Sequence, residues 1–280
     1  MDKFFFQKWL YRLHTHECHD VWVRLVMKSS AGKVRLDKLL LERGYAASRE
    51  RAQALVLAGK VLVNGQKAEK CGTAVNADSE IRLLGDDLRY VSRGGLKLER
   101  ALDHWNINVS GKICLDIGAS TGGFTDCLLQ RGAARVIAID TGHGQIAFRL
   151  RQDPRVRLLE KTNARYLMRE QVMESVELAA MDVSFISATM VLPAVIAAAF
   201  PEYLEERAGR EVIVLVKPQF EAGRGMVSKG GIVRDPEVQR QAVQRVRSAV
   251  KGLGAVSTDV IESPILGAEG NREFLLYAKF

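Results

Sequence analysis

The chain has 280 residues, 47% of them hydrophobic, which is enough for one large core and a smaller module. Its longest nearly apolar run, residues 188–200, is shorter than the roughly 20 residues that a helix needs to cross a bilayer. The four cysteines lack the spacing of a disulfide framework or a zinc site, which favours a reducing cytoplasm and predicts no metal. The formal net charge is +8, of which +7 falls in residues 1–100, so we expect an amino-terminal surface that binds a polyanion, either nucleic acid or an anionic membrane.

Residues 1–32 show no clear period and predict a tail that is disordered or not native. Their aromatic run is interrupted by Gln7 and Lys8, which argues against a secretion signal. Three histidines in this tail raise the alternative of a metal site, which we consider weaker than a plain tail. Met27 opens a plausible second start.

Residues 33–88 predict a small domain of two helices and short strands. The segment RLDKLLLERG has leucines on one helical face, and SRERAQALVLAGK predicts a second helix with Ser48 as its N-cap. The segment VLVNGQKAEK predicts a hairpin that turns at Asn64 and Gly65, and EIRLLG predicts a last strand.

Basic side chains recur where these helices meet the sheet, namely Arg35, Lys38, Arg49, Arg51, Lys60 and Lys67. We expect Arg35, Lys38 and Arg43 to surround the first helix. Such a concentration is suited to RNA phosphates, although a solvated surface is the alternative. The segment RLDKLLLERGYAASRERAQALVLAGKVLVNG resembles the small RNA-binding domain named after ribosomal protein S4, and that resemblance implies binding of structured RNA.

A polar joint, GDDLRYVSRGG, places the domain boundary at residues 88–91, and residues 89–280 form a second domain. Strand-like segments (KICLDIG, RVIAID, RVRLLE, ELAAMDVSF and EVIVLVKP) alternate there with helix-like ones, and EFLLYAKF closes the chain. We expect Asp235 and Pro236 to begin a long helix. This alternation predicts an α/β fold, a Rossmann-like doubly wound sheet of the class I methyltransferase type, attached to a small α+β RNA-binding domain.

The loop after the first of these strands reads GASTGG and lies where such folds bind ligands. A phosphate-binding P-loop needs Lys and Ser or Thr after its last glycine, and a dinucleotide loop needs G-x-G-x-x-G, so neither fits. Acidic residues before the loop and after the next strand suit the cationic methionine end and the ribose hydroxyls of S-adenosylmethionine. A plain glycine turn and a dehydrogenase remain as alternatives. The predicted cofactor-binding residues are Asp116, Gly118, Ser120, Gly122, Gly123, Asp140, Asn163 and Asp182.

Four charged residues are candidates for the reaction itself. The segment DVSFIS lacks the proline pair typical of enzymes that methylate base nitrogens, which favours a hydroxyl acceptor. A hydroxyl acceptor needs a base, and a lysine serves once its neighbours lower its pKa. Asp182 and Lys217 end predicted strands, Glu273 begins the last one, and Lys97 lies on the helix that enters the domain. We expect these four to converge, with Glu221 and Glu269 as rival acids.

The second domain is similar to the RNA ribose 2′-O-methyltransferases of the FtsJ type, and the resemblance implies that Lys97, Asp182, Lys217 and Glu273 form their tetrad. With the S4 domain, the segments SRGGLKL, DIGASTGGFTD, DVSFIS, VKPQFE and GNREF resemble the TlyA family over residues 33–280. That family is described both as haemolysins and as rRNA 2′-O-methyltransferases.

The resemblance implies methylation of cytidine ribose in the rRNA of ribosomal subunits, with S-adenosylmethionine as donor. Lys217 would be the base, Asp182 would lie between the two lysines, and Lys97 and Glu273 would orient the ribose. A membrane-active cytolysin and an RNA-binding protein without catalysis are the alternatives; we expect no membrane association.

Overall fold

The structure, a computed structural model, describes residues 32–46, 48–84, 89–227, 230–267 and 270–280. The chain divides into two compact units, one that ends at Asp87 and one that begins at Leu88. Apart from Gly32, the predicted tail and its alternative start lie outside the described residues. Within the described ranges, no helix has the length and apolar character that a membrane crossing requires.

The amino-terminal unit contains two short helices and two small sheets. Its elements are β1 (Lys33–Arg35), α1 (Leu36–Glu42), α2 (Arg49–Leu57), β2 (Val61–Val63), β3 (Gln66–Lys67), β4 (Ala74–Asn76) and β5 (Ile81–Leu83). Strand β1 pairs with β4, and β2 lies between β3 and β5, all antiparallel. The Ser48 hydroxyl accepts a hydrogen bond from the Arg51 amide at 3.1 Å, which confirms the predicted N-cap of α2.

The expectation that Arg35 belongs to the first helix was wrong. Arg35 is the last residue of β1, opposite Ala74, and Val34 pairs with Val75 beside it. Paired β-branched side chains favour the extended backbone here, so the helix begins one residue later, at Leu36.

The second unit alternates strands and helices. Its elements are α3 (Gly94–His104), β6 (Ile113–Ile117), α4 (Gly123–Gln130), β7 (Arg135–Ile139), α5 (Phe148–Arg151), β8 (Val156–Leu159), α6 (Arg169–Val172), β9 (Leu178–Met181), α7 (Ala188–Ala199), β10 (Glu211–Val216), α8 (Pro218–Glu221), α9 (Pro236–Gly252), β11 (Ser257–Glu262) and β12 (Phe274–Lys279). Helix α9 has Asp235 as N-cap and Pro236 in its first turn, as predicted.

These strands form one sheet of seven in the order β11-β12-β10-β9-β6-β7-β8. The five strands from β10 to β8 are parallel, and β12 runs antiparallel between β10 and β11. The chain order reverses between β6 and β9, which confirms the doubly wound α/β fold. The edge strand β11 was not predicted, because exposed residues such as Ser257 and Asp259 alternate with half-buried ones such as Thr258, and all three are polar.

Alternate residues of the strands point to two separate cores. Leu115 and Ile137 pack on one face of the sheet, with α7 and α9, while Cys114 and Val136 pack on the other, with α3 and α4. Helices therefore cover both faces, and the carboxyl ends of the parallel strands form one open edge.

Candidate active site

The glycine loop connects the end of β6 to α4 through backbone geometry that only glycine tolerates. Gly118 has a φ of +85°, and its amide donates to the Ile139 carbonyl at 2.9 Å. A Cβ atom at this position would lie 2.3 Å from the carbonyl oxygen of Asp182, so no side chain fits. Gly122, with a φ of +95°, forms the turn that starts α4, and Gly123 begins the helix. The backbone of the loop is therefore in close contact with the backbone of Asp182, the residue that follows β9.

Two adjoining cavities open at this edge of the sheet, and both are lined by Gly118, Ser120 and Asp182. The first, about 250 Å³, extends along the start of α3 and includes Lys97. The second, about 300 Å³, extends below β7 and β8 and includes Asp140 and Asn163, with Phe185, Ile186 and Val191 as apolar lining. The three shared residues place the two cavities side by side, and each combines polar with apolar lining.

The second cavity offers hydrogen-bonding groups of the predicted kind. The carboxylate of Asp140 accepts the Ser120 amide at 2.7 Å on one oxygen and the Gly142 amide at 2.6 Å on the other. Each oxygen keeps a lone pair, an arrangement that suits two neighbouring hydroxyls. The Asn163 carbonyl oxygen accepts the Arg165 amide at 3.0 Å, which leaves its NH₂ group able to donate into the cavity.

Asp116 lies beneath the loop and is not among the described residues that line either cavity. Its side chain is fully buried, and one oxygen accepts the Thr125 hydroxyl at 2.6 Å. Its other oxygen, Oδ1, has no hydrogen-bond partner among the described residues. The pKa of this carboxyl is raised to about 7, mainly by burial; the hydrogen bond from Thr125 opposes the rise, and the nearby carboxylates of Asp182 and Asp140 contribute to it. Asp116 can therefore influence a bound cation only through the loop.

The four tetrad candidates form two lysine–carboxylate pairs. Lys97 Nζ lies 2.5 Å from Glu273 Oε2, and Lys217 Nζ lies 2.6 Å from Asp182 Oδ1. Both lysine side chains are buried, with 11% of each exposed. Asp182 and Lys217 follow the parallel strands β9 and β10, and Glu273 precedes the antiparallel β12, so all three reach the same edge of the sheet. Lys97 and Asp182 line the same cavity, which brings the two pairs to one site.

Glu221, one of the two rival acids, is committed elsewhere. Its carboxylate accepts the Ser187 hydroxyl at 2.5 Å and the Ala188 amide at 2.7 Å, which ties α8 to the start of α7. Burial raises the pKa of Glu221. Glu269, the other rival, lies outside the described residues.

Sequence reasoning did not identify two residues of the loop after β9. The Ser184 hydroxyl accepts a hydrogen bond from Lys217 Nζ at 2.7 Å. Phe185 has a φ of +65°, which is strained for an aromatic residue, and 93% of it is exposed while its ring lies 5.4 Å from that of Phe220. The segment DVSFIS indicated a site, but the positive φ and the exposure arise from tertiary structure.

The predicted RNA-binding residues separate into groups. Arg35 and Arg49 both donate to the buried carboxylate of Asp37, which lies in the first turn of α1. Arg49 and Arg51 lie in the first turn of α2. Elsewhere, Lys38 pairs with Glu42 of the next turn at 3.4 Å. Lys60 and Lys67 lie beyond the opposite end of α2.

The fold and site together define a class of enzyme. A doubly wound sheet with an antiparallel strand inside one edge, a glycine loop after β6 and an acidic residue after β7 are typical of Rossmann-like class I methyltransferases. The chain belongs to the FtsJ-like methyltransferase family, which matches residues 90–280, and an S4 domain matches residues 34–81.

Similar proteins carry two kinds of name. The chain is 45% identical over 250 residues to the 16S/23S rRNA (cytidine-2′-O)-methyltransferase TlyA of Mycobacterium tuberculosis, which covers 89% of this chain and 91% of that protein. It is 42% identical over 246 residues to Hemolysin A of Brachyspira hyodysenteriae, across 87% of this chain and 99% of that protein. A solved structure of a Streptococcus thermophilus protein named as a hemolysin has 42% identity and a TM-score of 0.66, with 89% of each chain covered.

Proposed function

We propose that this protein transfers a methyl group from S-adenosylmethionine to the 2′-hydroxyl of a cytidine in rRNA, and that it acts on ribosomal subunits in the cytoplasm. The observation that carries the proposal is the meeting of the Lys97–Glu273 and Lys217–Asp182 pairs at a cavity beside the glycine loop. The name of the mycobacterial relative supports the same substrate, and the S4 domain supports RNA as the ligand.

The second cavity fits the adenosine part of the donor. Asp140 has a free lone pair on each oxygen for the ribose hydroxyls, and the Asn163 amide can donate to the adenine edge. The buried Oδ1 of Asp116, which has no hydrogen-bond partner in the described part of the chain, adds negative character beneath the loop once that carboxyl ionises. When bound, the donor supplies an electrophilic methyl group on a positively charged sulfur.

Lys217 is suited to remove the proton from the attacking hydroxyl. The neutral amine accepts the hydroxyl proton, and Asp182 then stabilises the ammonium ion that forms, since the two side chains are in contact at 2.6 Å. Ser184 fixes the position of the same nitrogen. Lys97, held by Glu273, faces the first cavity and can donate a hydrogen bond to the acceptor ribose.

Substitution of Lys217 by alanine tests the proposal. With tritiated S-adenosylmethionine and purified small and large ribosomal subunits, we expect K217A to lose about 100-fold or more of the transfer rate while RNA affinity stays within about twofold, because only the base is removed. Lys112→Ala is a matched control, since Lys112 forms a similar ion pair with Glu211 at 2.9 Å at the opposite edge of the sheet. Transfer by K217A at the rate of the control would contradict the assignment.

The haemolysin name of the Brachyspira relative favours a second candidate, a membrane-active cytolysin. The two candidates differ in their dependence on the tetrad. If the protein lyses erythrocytes, a cytolysin mechanism predicts that K217A keeps that activity and that removal of residues 1–26 abolishes it, since those residues contain the aromatic segment FFFQKWLYRL. Absence of lysis at concentrations that methylate RNA would exclude this candidate.

A further inference from the structure

A buried carboxylate lies at the centre of the basic surface of the amino-terminal unit. Asp37, in the first turn of α1, has a side chain that is 0% exposed. Its Oδ1 accepts Arg35 Nε at 3.1 Å and the Lys38 amide at 2.9 Å. Its Oδ2 accepts Arg35 Nη2 at 2.9 Å, Arg49 Nε at 3.0 Å and Gln53 Nε2 at 3.1 Å. Five donors from three elements therefore converge on one side chain.

These contacts hold the two guanidinium groups by one edge and leave the other edge accessible. The Arg35 and Arg49 side chains are 52% and 51% exposed, although their partner is buried. Arg35 keeps its Nη1 protons, and Arg49 keeps the protons of both terminal nitrogens, without a described acceptor. The hydrogen bonds from Arg35 lower the pKa of Asp37 well below its usual range, so the carboxylate is charged at neutral pH.

The backbone around Arg35 restricts the same group further. A Cβ atom on Gly72 would lie 3.2 Å from both terminal nitrogens of Arg35, so the guanidinium lies across that glycine. The turn that contains Gly72 is tied to α1, because the Leu36 amide donates to the Thr73 carbonyl at 2.9 Å and the Asp37 amide to that of Cys71 at 3.0 Å. Arg35 is thus preorganised, which reduces the entropy lost when it binds.

We infer that Asp37 is a positioning residue for RNA binding, which fixes Arg35 and Arg49 side by side so that their free edges bind the phosphate backbone together. The inference rests on the proposed function in taking RNA as the ligand. Two fixed guanidinium forks match phosphate oxygens better than mobile lysines do.

The lysines at the other end of α2 serve as a comparison within the same unit. Helix α2 has nine residues, a length of about 13 Å, which separates them from Arg49. The Lys67 side chain lies across Gly59, where a Cβ atom would be 2.1 Å from Lys67 Cε. Lys60 and Lys67 have no acidic anchor like Asp37 among the contacts of the described residues, so we assign them only general attraction to the polyanion.

Replacement of Asp37 by asparagine separates positioning from net charge because the two predict opposite signs. Asp37→Asn raises the net charge of the basic unit by one, so electrostatic attraction alone predicts tighter RNA binding. Positioning predicts weaker RNA binding. The asparagine NH₂ group replaces one of the two oxygens, and it would then face the three donors at the Oδ2 position or the two donors at the Oδ1 position, so those hydrogen bonds are lost.

The experiment measures the affinity of the full chain for a fluorescein-labelled RNA hairpin by anisotropy at several salt concentrations. We expect D37N to weaken binding about tenfold and to lower the slope of log affinity against log salt by about one. The double variant Lys60→Ala, Lys67→Ala should weaken binding only about twofold. Equal or tighter binding by D37N would overturn the inference.

A double-mutant cycle distinguishes positioning from a purely structural role. In a chain that already carries Arg35→Ala and Arg49→Ala, we expect Asp37→Asn to cause no further weakening, because the groups that it positions are absent. A further tenfold loss there would mean that the carboxylate only maintains the fold, and it would overturn the inference. Absence of hairpin binding by the wild type would instead overturn the RNA-binding role itself, and methyl transfer does not enter this measurement.

Discussion

Asp116→Asn tests the electrostatic account of the glycine loop. In the native protein, burial raises the pKa of Asp116 from 3.8 to about 7. In the unfolded chain the same carboxyl ionises near its ordinary value, about 4. Between these two pH values the native state holds a proton that the unfolded state has lost, so stability falls as pH rises. Below the lower value the carboxyl is neutral in both states and contributes no such penalty.

The size of the effect follows from the two pKa values. A difference of one pKa unit corresponds to about 1.4 kcal/mol, so the interval from 3.8 to about 7 corresponds to roughly 4 kcal/mol of stability lost by the wild type as pH rises. The asparagine side chain stays neutral and can still accept the Thr125 hydroxyl. We therefore expect the free energy of unfolding of D116N, relative to wild type, to increase by several kcal/mol between pH 4 and pH 7 and to level off above that, by linkage.

The assay must report on the second unit alone, because two units need not unfold together. Trp105 is suitable, since it stacks on Tyr277 at 5.2 Å and its indole donates to Asp259 at 2.9 Å. Urea unfolding would be followed by Trp105 fluorescence in chains with Trp9 and Trp22 changed to phenylalanine. A difference between D116N and wild type that stays constant from pH 4 to pH 8 would refute the reasoning.

Two further predictions concern the contacts that shape the site. Gly118→Ala should reduce methyl transfer at least tenfold, because the new Cβ atom would lie 2.3 Å from the Asp182 carbonyl oxygen. Gly111→Ala is the control: Gly111 has a similar positive φ, a Cβ atom there would have no other atom within 4 Å, and this variant should keep normal turnover. Glu221→Ala should lower kcat about tenfold, whereas Glu221→Gln should keep most of it, because the amide can still bond the Ser187 hydroxyl and the start of α7. Equal kinetics for both glycine variants, or equal losses for both Glu221 variants, would show that these contacts do not hold the site.

Much of the second unit was predictable because its central strands are short apolar runs bounded by turn residues. Strand β11 was not, since its half-exposed edge position gives it a polar composition that periodicity does not separate from a loop. Arg35 was wrongly assigned to a helix because its strand is defined by pairing with a distant segment. Val34 pairs with Val75, and local periodicity does not show that contact.

The candidate site was predictable as a set of residues but not as a set of partners. The ends of three strands identified Asp182, Lys217 and Glu273, and the helix that enters the domain added Lys97. The pairing of Lys97 with Glu273 depends on an antiparallel strand that returns to the same edge of the sheet. The role of Asp37 was likewise not predictable. In the sequence it is an acidic residue in the first turn of a helix, where acidic residues commonly stabilise the helix dipole. Its burial depends on α2 and on the turn at Gly72, which only the folded chain brings to it.

The chemical position of the transferred methyl group tests the central claim most directly. Ribosomal subunits would be incubated with the enzyme and tritiated S-adenosylmethionine, and their rRNA digested to nucleosides and separated by chromatography. We expect label in 2′-O-methylcytidine with wild type, and initial incorporation lower by about 100-fold or more with K217A. Label in a base-methylated nucleoside, or no label although the donor binds, would contradict it.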